Sequence, residues 1–248
     1  MAAPRVSSAD SDPRAGVSSF MSVEILDLVD RKELAAPRPV PTRLESVVEA
    51  LTTKMEIGDL PPGAALKVSK LSKELDVAPN TVREAISILT AQHLVEAHAH
   101  KSSVVATPTD AWLAAIVAEC AGLSTLAATL GIARATPNER REFRVAAEHA
   151  ITAWRAPLVD HRVASGLTWN LFQQLASFSR NQYLEAMHAA KRPALVLGFT
   201  HLGRERNAAM VSNAIAELLE AVDDEAAHEG AEIVGDLYVY VLDDLTPD

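Results

Sequence analysis

The sequence predicts a mainly α-helical protein, an N-terminal winged helix-turn-helix followed by an all-α antiparallel helical bundle. Three observations predict it. Residues 67–91, KVSKLSKELDVAPNTVREAISILTA, carry two short helical patterns separated by a tight turn at Asp76 to Ala78. The next stretch, HLVEAHAHKSSVVAT, alternates apolar and polar residues on both sides of Ala99 to Ser102, as the two strands of a hairpin do. From Asp110 onward the apolar residues recur at helical spacing.

Composition bounds what such a fold can do. The chain has 248 residues, 48% of them hydrophobic and 4% aromatic, enough for one large or two smaller domains. Cys120 is the only cysteine, which excludes an intramolecular disulfide and any multi-thiolate metal site. No apolar run approaches a membrane span, and the first twenty residues lack the apolar centre of a signal peptide, so a cytoplasmic protein is expected. The net charge is −10, but residues 1–40 hold 5 basic and 6 acidic side chains, residues 41–108 hold 7 and 8, and residues 109–248 hold 11 and 19. The acidity is concentrated at the C-terminal end, and a near-neutral middle segment can bind DNA if its cations share one face.

Residues 1–40 are rich in Ser, Pro, Ala and Asp and read as a partly disordered extension. Ser22 to Leu34 within it has the spacing of one amphipathic helix, and Pro37, Pro39 and Pro41 mark a stiff linker. The domain from 41 to 108 then opens on TRLE, in which Thr42 caps a helix and Glu45 reaches back, a capping box. Leu44, Val47, Val48, Leu51 and Met55 form its apolar stripe, and Gly58 stops it. DLPPGAAL makes a turn and feeds an extended segment at Ala65 to Lys67. Ser69 is expected to cap the first helix of the pair, which buries Val68, Leu71 and Leu75 and turns Lys70 and Lys73 outward. Pro79 at the first helical position starts the second. Its stripe of Val82, Ala85, Ile86 and Leu89 leaves Asn80, Thr81, Arg83 and Glu84 facing away from the fold, the way a recognition helix is offered to a DNA groove.

The segment from 109 to 248 reads as six or seven helices. Trp112 to Leu130 is apolar nearly all round, with Gly131 as its expected stop. TPNE at Thr136 to Glu139 is a second capping box opening a helix to about Trp154. Further helices are expected over His161–Phe178, Gln182–Ala190, Arg204–Val222 and Glu225–Leu242, with Pro193 breaking the chain between them. A bundle of this size has room for an internal cavity.

The DNA-facing chemistry follows from residue types. Arginine can be bidentate to guanine and asparagine to adenine, each contributing about 1–3 kcal/mol of discrimination, which makes Arg83 and Asn80 the base-reading candidates. Thr81, Lys70, Lys73 and Lys101 suit phosphate, and His100 on the hairpin is a wing contact. In the helical segment Arg144, Arg180 and Arg192 are candidates to hold the carboxylate of a small organic acid. HExxH, GxSxG, a glycine-rich phosphate loop and a Cys/His arrangement are all absent from the sequence, so no enzyme, cofactor or metal is expected.

Over residues 44–107 the succession LESVVEALTTKMEIGDLPPGAAL, LSKELDVAPNTVREAISILTAQHLV and the hairpin resembles the GntR family of bacterial transcription regulators. The resemblance implies a DNA operator as partner and Arg83 as the motif arginine of the recognition helix. Three departures stand beside it. Ser69 occupies the place of a DNA-contacting arginine, Pro79 replaces a second one, and the wing turn AHKS lacks glycine. The helical segment is similar to the dimerising, ligand-binding (FCD-type) domain of the FadR subfamily, through LAATLGIARATPNE and LFQQLASFSRNQYL with Asn181. That implies a homodimeric repressor sensing a small effector. The subfamily's usual metal ligands are missing, since Thr168 and Phe172 stand at the first two positions. The alternative is a ligand-independent regulator acting through protein contacts of the C-terminal domain or the N-terminal arm.

Overall fold

The computed structural model describes residues 42–97, 102–203 and 205–246, so the expected helix at Ser22–Leu34, the proline linker, His100 and Lys101 lie outside the described residues. The chain is mainly helical. Helix α1 (Arg43–Glu56) starts at the expected capping box: the Glu45 amide donates to Thr42 Oγ1 at 3.2 Å, and the Thr42 amide donates to Glu45 Oε2 at 2.6 Å. Helices α2 (Val68–Glu74) and α3 (Pro79–Ala91) form the helix-turn-helix, and both α1 and α2 pack on α3. Ser69 does not cap α2. The cap falls two residues earlier, at Lys67, which is extended and makes no side-chain bond, so the helix starts at Val68 and the Ser69 side chain is exposed. Strands β1 (Val95–Glu96) and β2 (Val104–Val105) pair antiparallel as the wing. The extended segment after the proline turn joins them, because the Leu66 amide donates to the Ser103 carbonyl at 2.8 Å and the Val105 amide to the Ala64 carbonyl at 2.9 Å.

Seven described helices follow. Helix α4 (Asp110–Arg134) is the one around which the others assemble, with α6 (His161–Phe178) and α10 (Ala227–Leu245) packed most extensively on it. It passes a length-and-composition test for a membrane span, yet much of it is covered by neighbouring helices, as an all-round apolar helix must be in water. Helices α5 (Pro137–Trp154) and α9 (Ala208–Asp223) pack on each other, α5 also on α6, and α9 on α10. Helix α7 (Gln182–Ala189) lies on α4 and α6, and α8 (Arg192–Leu202) touches α4, α6 and α1.

Two of the expected helix ends are corrected. Gly131 does not end α4, which runs on to Arg134; it is buried where α4 meets α6, and a Cβ there would lie 2.2 Å from the Leu175 carbonyl oxygen. Pro193 does not break the chain either, because it occupies the first turn of α8, where a missing amide costs no intrahelical bond. The real stops are less legible. Asp76, His93, Arg180 and Glu225 each follow a helix end with φ between 50 and 63°, the left-handed position that glycine usually takes. At Asp76, His93 and Glu225 the next amide reaches back five residues to the helix, as Val77 to Ser72 at 3.1 Å, Leu94 to Leu89 at 2.9 Å and Ala226 to Ala221 at 2.8 Å.

The second capping box forms as expected. Thr136 Oγ1 accepts from the Glu139 amide at 3.3 Å, Glu139 Oε2 accepts from the Thr136 amide at 2.8 Å, and Glu139 is further held by Arg180 at 2.6 Å. Thr136→Ala is therefore expected to cost about 1 kcal/mol of stability in urea denaturation, with an unchanged m-value.

Candidate nucleic-acid interface and ligand cavity

Helix α3 presents its outer face because its four apolar residues, Val82, Ala85, Ile86 and Leu89, are buried against the rest of the helix-turn-helix. Asn80 and Arg83 are exposed and meet: Arg83 Nη1 donates to Asn80 Oδ1 at 2.7 Å. The pair is one helical turn apart, so the amide orients the guanidinium while leaving most of its five donors available. An Asn80 oxygen engaged in this way serves Arg83 first, whereas bidentate reading of adenine needs that same oxygen. An open groove between α3 and the wing is lined by Ser69, Pro79, Arg83, Ser87, Ala97 and Ser102, among others. Lys70 and Lys73 are exposed on α2 and Thr81 is half-buried in the first turn of α3; none of the three lines the groove.

The helical part holds a cavity of about 620 Å³, a size suited to a small organic molecule. Five of the chain's eleven aromatic residues line it: Trp154, Trp169, Phe172, Phe199 and Tyr238. Of the three arginines expected to hold an acid, only Arg192 reaches this cavity. Arg144 is instead paired with Asp223 at 2.6 Å, tying α5 to α9, and Arg180 with Glu139, so both are corrected to structural ion pairs. Arg162 and Arg206 also line the cavity and carry no distinguishing sequence signal. The Arg206 guanidinium sits 4.4 Å from the centre of the Phe199 ring and binds Asp244 at 3.1 Å with only 6% of its side chain exposed. Arg192 is 46% exposed and makes a 2.9 Å contact to Glu56 at the end of α1, which lines the cavity too.

Thr168, at the first of the missing metal-ligand positions, is occupied otherwise: it accepts from Trp154 Nε1 at 2.9 Å and donates to the Ala164 carbonyl at 3.0 Å. Among the described residues no group of three or more His, Cys, Asp or Glu is arranged to hold a metal ion.

The sequence reading missed the most polar feature of the bundle interior. His188 on α7 is fully buried, stacked on Trp169 with ring centroids 4.0 Å apart. Its bonds fix every proton. Gln173 Nε2 donates to the Glu185 carbonyl at 3.4 Å, so Gln173 Oε1 faces His188 Nδ1 at 2.8 Å and must accept from it. Burial pushes the His188 pKa down to about 4, so the ring is neutral and Nε2 accepts from Ser124 at 3.0 Å. The Ser124 oxygen in turn accepts from the Tyr238 hydroxyl at 2.9 Å. A hydroxyl, an imidazole and an orienting amide in sequence are the parts of a nucleophilic site. Here Ser124 and His188 are both wholly inaccessible and neither lines the cavity, so the chain of bonds joins α4, α6, α7 and α10 as a structural unit. Cys120, pushed up to about 12 by burial, is inert in the same interior.

Comparison with known proteins bears on the first part of the chain. Residues 43–105 match the model of the family described as bacterial regulatory proteins, gntR family. They form a GntR-family domain. The groove beside Arg83 lies within the matched residues. No curated protein matches the sequence. Among solved structures, E. coli McbR/YncC aligns with a TM-score of 0.61 at 18% identity, over 83% of this chain and 98% of that one. A transcriptional regulator GntR from Rhodococcus sp. RHA1 aligns with a TM-score of 0.55 at 22% identity, over 82% and 95%. Lar of Listeria monocytogenes aligns with a TM-score of 0.52 at 14% identity, over 84% and 98%. At these identities the likeness is one of fold, and it extends through the helical bundle as well as the GntR domain.

Proposed function

We propose that this protein is a homodimeric, cytoplasmic repressor of the FadR subfamily, in which residues 41–108 read a DNA operator and residues 109–248 dimerise and sense a small organic acid. The observation that carries the DNA reading is the Arg83–Asn80 pair, exposed and pre-oriented on the outer face of α3 beside the wing groove. Ser69 and the groove floor approach the duplex, Lys70, Lys73 and Thr81 take phosphates, and Lys101 and His100 contact DNA from the wing. Dimerisation is supported by apolar side chains that the described residues leave uncovered on two touching helices, Leu126 on α4 and Tyr183 and Met187 on α7. Two recognition helices related by a two-fold axis then read a pseudo-palindromic site.

The test is a mobility shift on genomic fragments followed by titration of the selected site. Arg83→Ala is expected to weaken specific binding roughly 10- to 100-fold and to flatten the preference at one base pair per half-site, as loss of a bidentate arginine does. Asn80→Ala, which removes the orienting acceptor, should lower affinity less and in the same base-specific way. Equal affinity of wild type and Arg83→Ala for the site would overturn the assignment.

A further inference from the structure

The cavity ligand must suit a wall of aromatic rings and two accessible guanidinium groups, those of Arg162 and Arg192. Trp154, Trp169, Phe172, Phe199 and Tyr238 converge there in a chain that is only 4% aromatic. Rings stack on and edge against rings, so such a wall favours a flat aromatic body over a flexible or polar one. The lining arginines differ in what already holds them. Arg206 is buried against Phe199 and bound to Asp244, whereas Arg192 is half-exposed and held by a monodentate contact to Glu56. Arg162 is exposed, and Arg192 is the lining guanidinium whose carboxylate partner comes from α1, so a ligand carboxylate at Arg192 meets Glu56 already in place.

Glu56 belongs to the GntR domain and Arg192 to the bundle, so this ion pair crosses between the two parts. Arg192 is the end that stays still. Next to it Lys191 binds Glu119 of α4 at 2.6 Å, and Gly198 on the same helix lies so close to Leu113 and Trp112 that a Cβ would fall 2.7 Å and 3.0 Å from them. Helix α8 is therefore fixed to α4, and a change in the Arg192 contact is felt by α1.

We propose that the cavity takes an aromatic carboxylic acid whose carboxylate displaces Glu56 from Arg192 and so releases the end of α1 from α8. This rests on the effector reading above and names its ligand class and its route to the DNA-binding domain. Ligand and Glu56 compete for one guanidinium, so the energy of the bond that the acid forms is offset by the bond that α1 loses. Effector and operator are thereby linked, each changing the other's affinity by the same factor.

The experiment uses naphthalene-2-carboxylate and its uncharged amide, naphthalene-2-carboxamide, titrated into the full chain by calorimetry, with tryptophan fluorescence as a second readout. The acid is expected to bind about tenfold more tightly than the amide, the difference being its charge-assisted bonds to Arg192. Arg192→Gln should bring the acid down to the affinity of the amide and leave the amide unchanged, which also shows that the variant is folded. Glu56→Gln, which removes the competitor, should tighten the acid about threefold or more without affecting the amide. In the presence of the acid the operator affinity of the wild type should shift at least about fivefold, and that of Glu56→Gln should not. No saturable binding of the acid, equal binding of acid and amide, or an Arg192→Gln variant with wild-type affinity for the acid would overturn the proposal. So would a Glu56→Gln variant that binds the acid no more tightly than the wild type, or an operator affinity that the acid leaves unmoved. A chain that binds the acid with this charge pattern but binds no DNA would refute the regulator reading and leave the cavity assignment standing.

Discussion

Gly131→Ala is expected to destabilise the protein by about 3 kcal/mol or more, the largest loss from any single methyl group in the bundle. The added Cβ would stand 2.2 Å from the Leu175 oxygen, 2.9 Å from its carbonyl carbon and 3.0 Å from its Cα, all backbone atoms of α6. A side chain can rotate out of the way, but a helix backbone can only move as a body. Relief therefore means separating α4 from α6 along the contact that both use to bury their apolar faces. Gly122 on the same helix is the control, since nothing lies within 4 Å of its Cβ position and it is exposed. Gly122→Ala should stabilise by about 0.5–1 kcal/mol through helix propensity. Guanidinium denaturation of the pair reads both signs, and a Gly131→Ala variant within 1 kcal/mol of wild type would show that the helices can part cheaply.

The second large effect is on stability against pH, and it comes from His188. In the unfolded chain its imidazole takes a proton near the ordinary value of about 6.5. In the folded protein burial holds the pKa down to about 4. Between those values the unfolded state binds more protons than the folded one, so stability must fall as pH falls. The contribution is fully present above about pH 6.5, declines through the window and has cost roughly 3 kcal/mol by pH 4. The groups joined or adjacent to the bond chain do not titrate in that window, because burial raises both Tyr238 and Cys120 far above it. His188→Gln keeps a polar group in place and removes the proton site. Its unfolding free energy should change less between pH 6.5 and 4 than that of the wild type, and parallel pH profiles for the two would sink the assignment.

The contrast between these two positions shows what could be read from the residues alone. Local signals were legible: Thr42 with Glu45, Thr136 with Glu139 and Pro79 mark three helix starts because capping is settled within four residues of chain. Helix α3 and its outward Arg83 were legible for the same reason, since four apolar residues at helical spacing fix which face is left over. The helix ends were not, because the left-handed positions are filled by Asp76, His93, Arg180 and Glu225 while the glycine that looked like a stop is spent on close packing. The cavity was foreseen in general, but its arginine was chosen from three that sequence cannot rank. All three find carboxylates on other helices, and only the assembled fold shows that Arg192 and its partner Glu56 line the cavity whereas Arg144 and Arg180 do not. His188 carries no local signal, because its partners Ser124 and Gln173 are 64 and 15 residues away.

Helix α4 carries a consequence for how the molecule is made. It is the first helix of the bundle to leave the ribosome, while α10, the neighbour that packs on it most extensively, is the last. At ordinary translation rates the roughly one hundred residues between them take about 5–20 s to synthesise. Through the first part of that interval a 25-residue segment apolar enough to pass for a membrane span lacks α6, and through all of it α10, the two helices that pack on it most extensively. The nascent chain is thus a natural client for holding chaperones, and slowing translation after Arg134 should lower the yield of soluble protein before it touches any property of the finished fold.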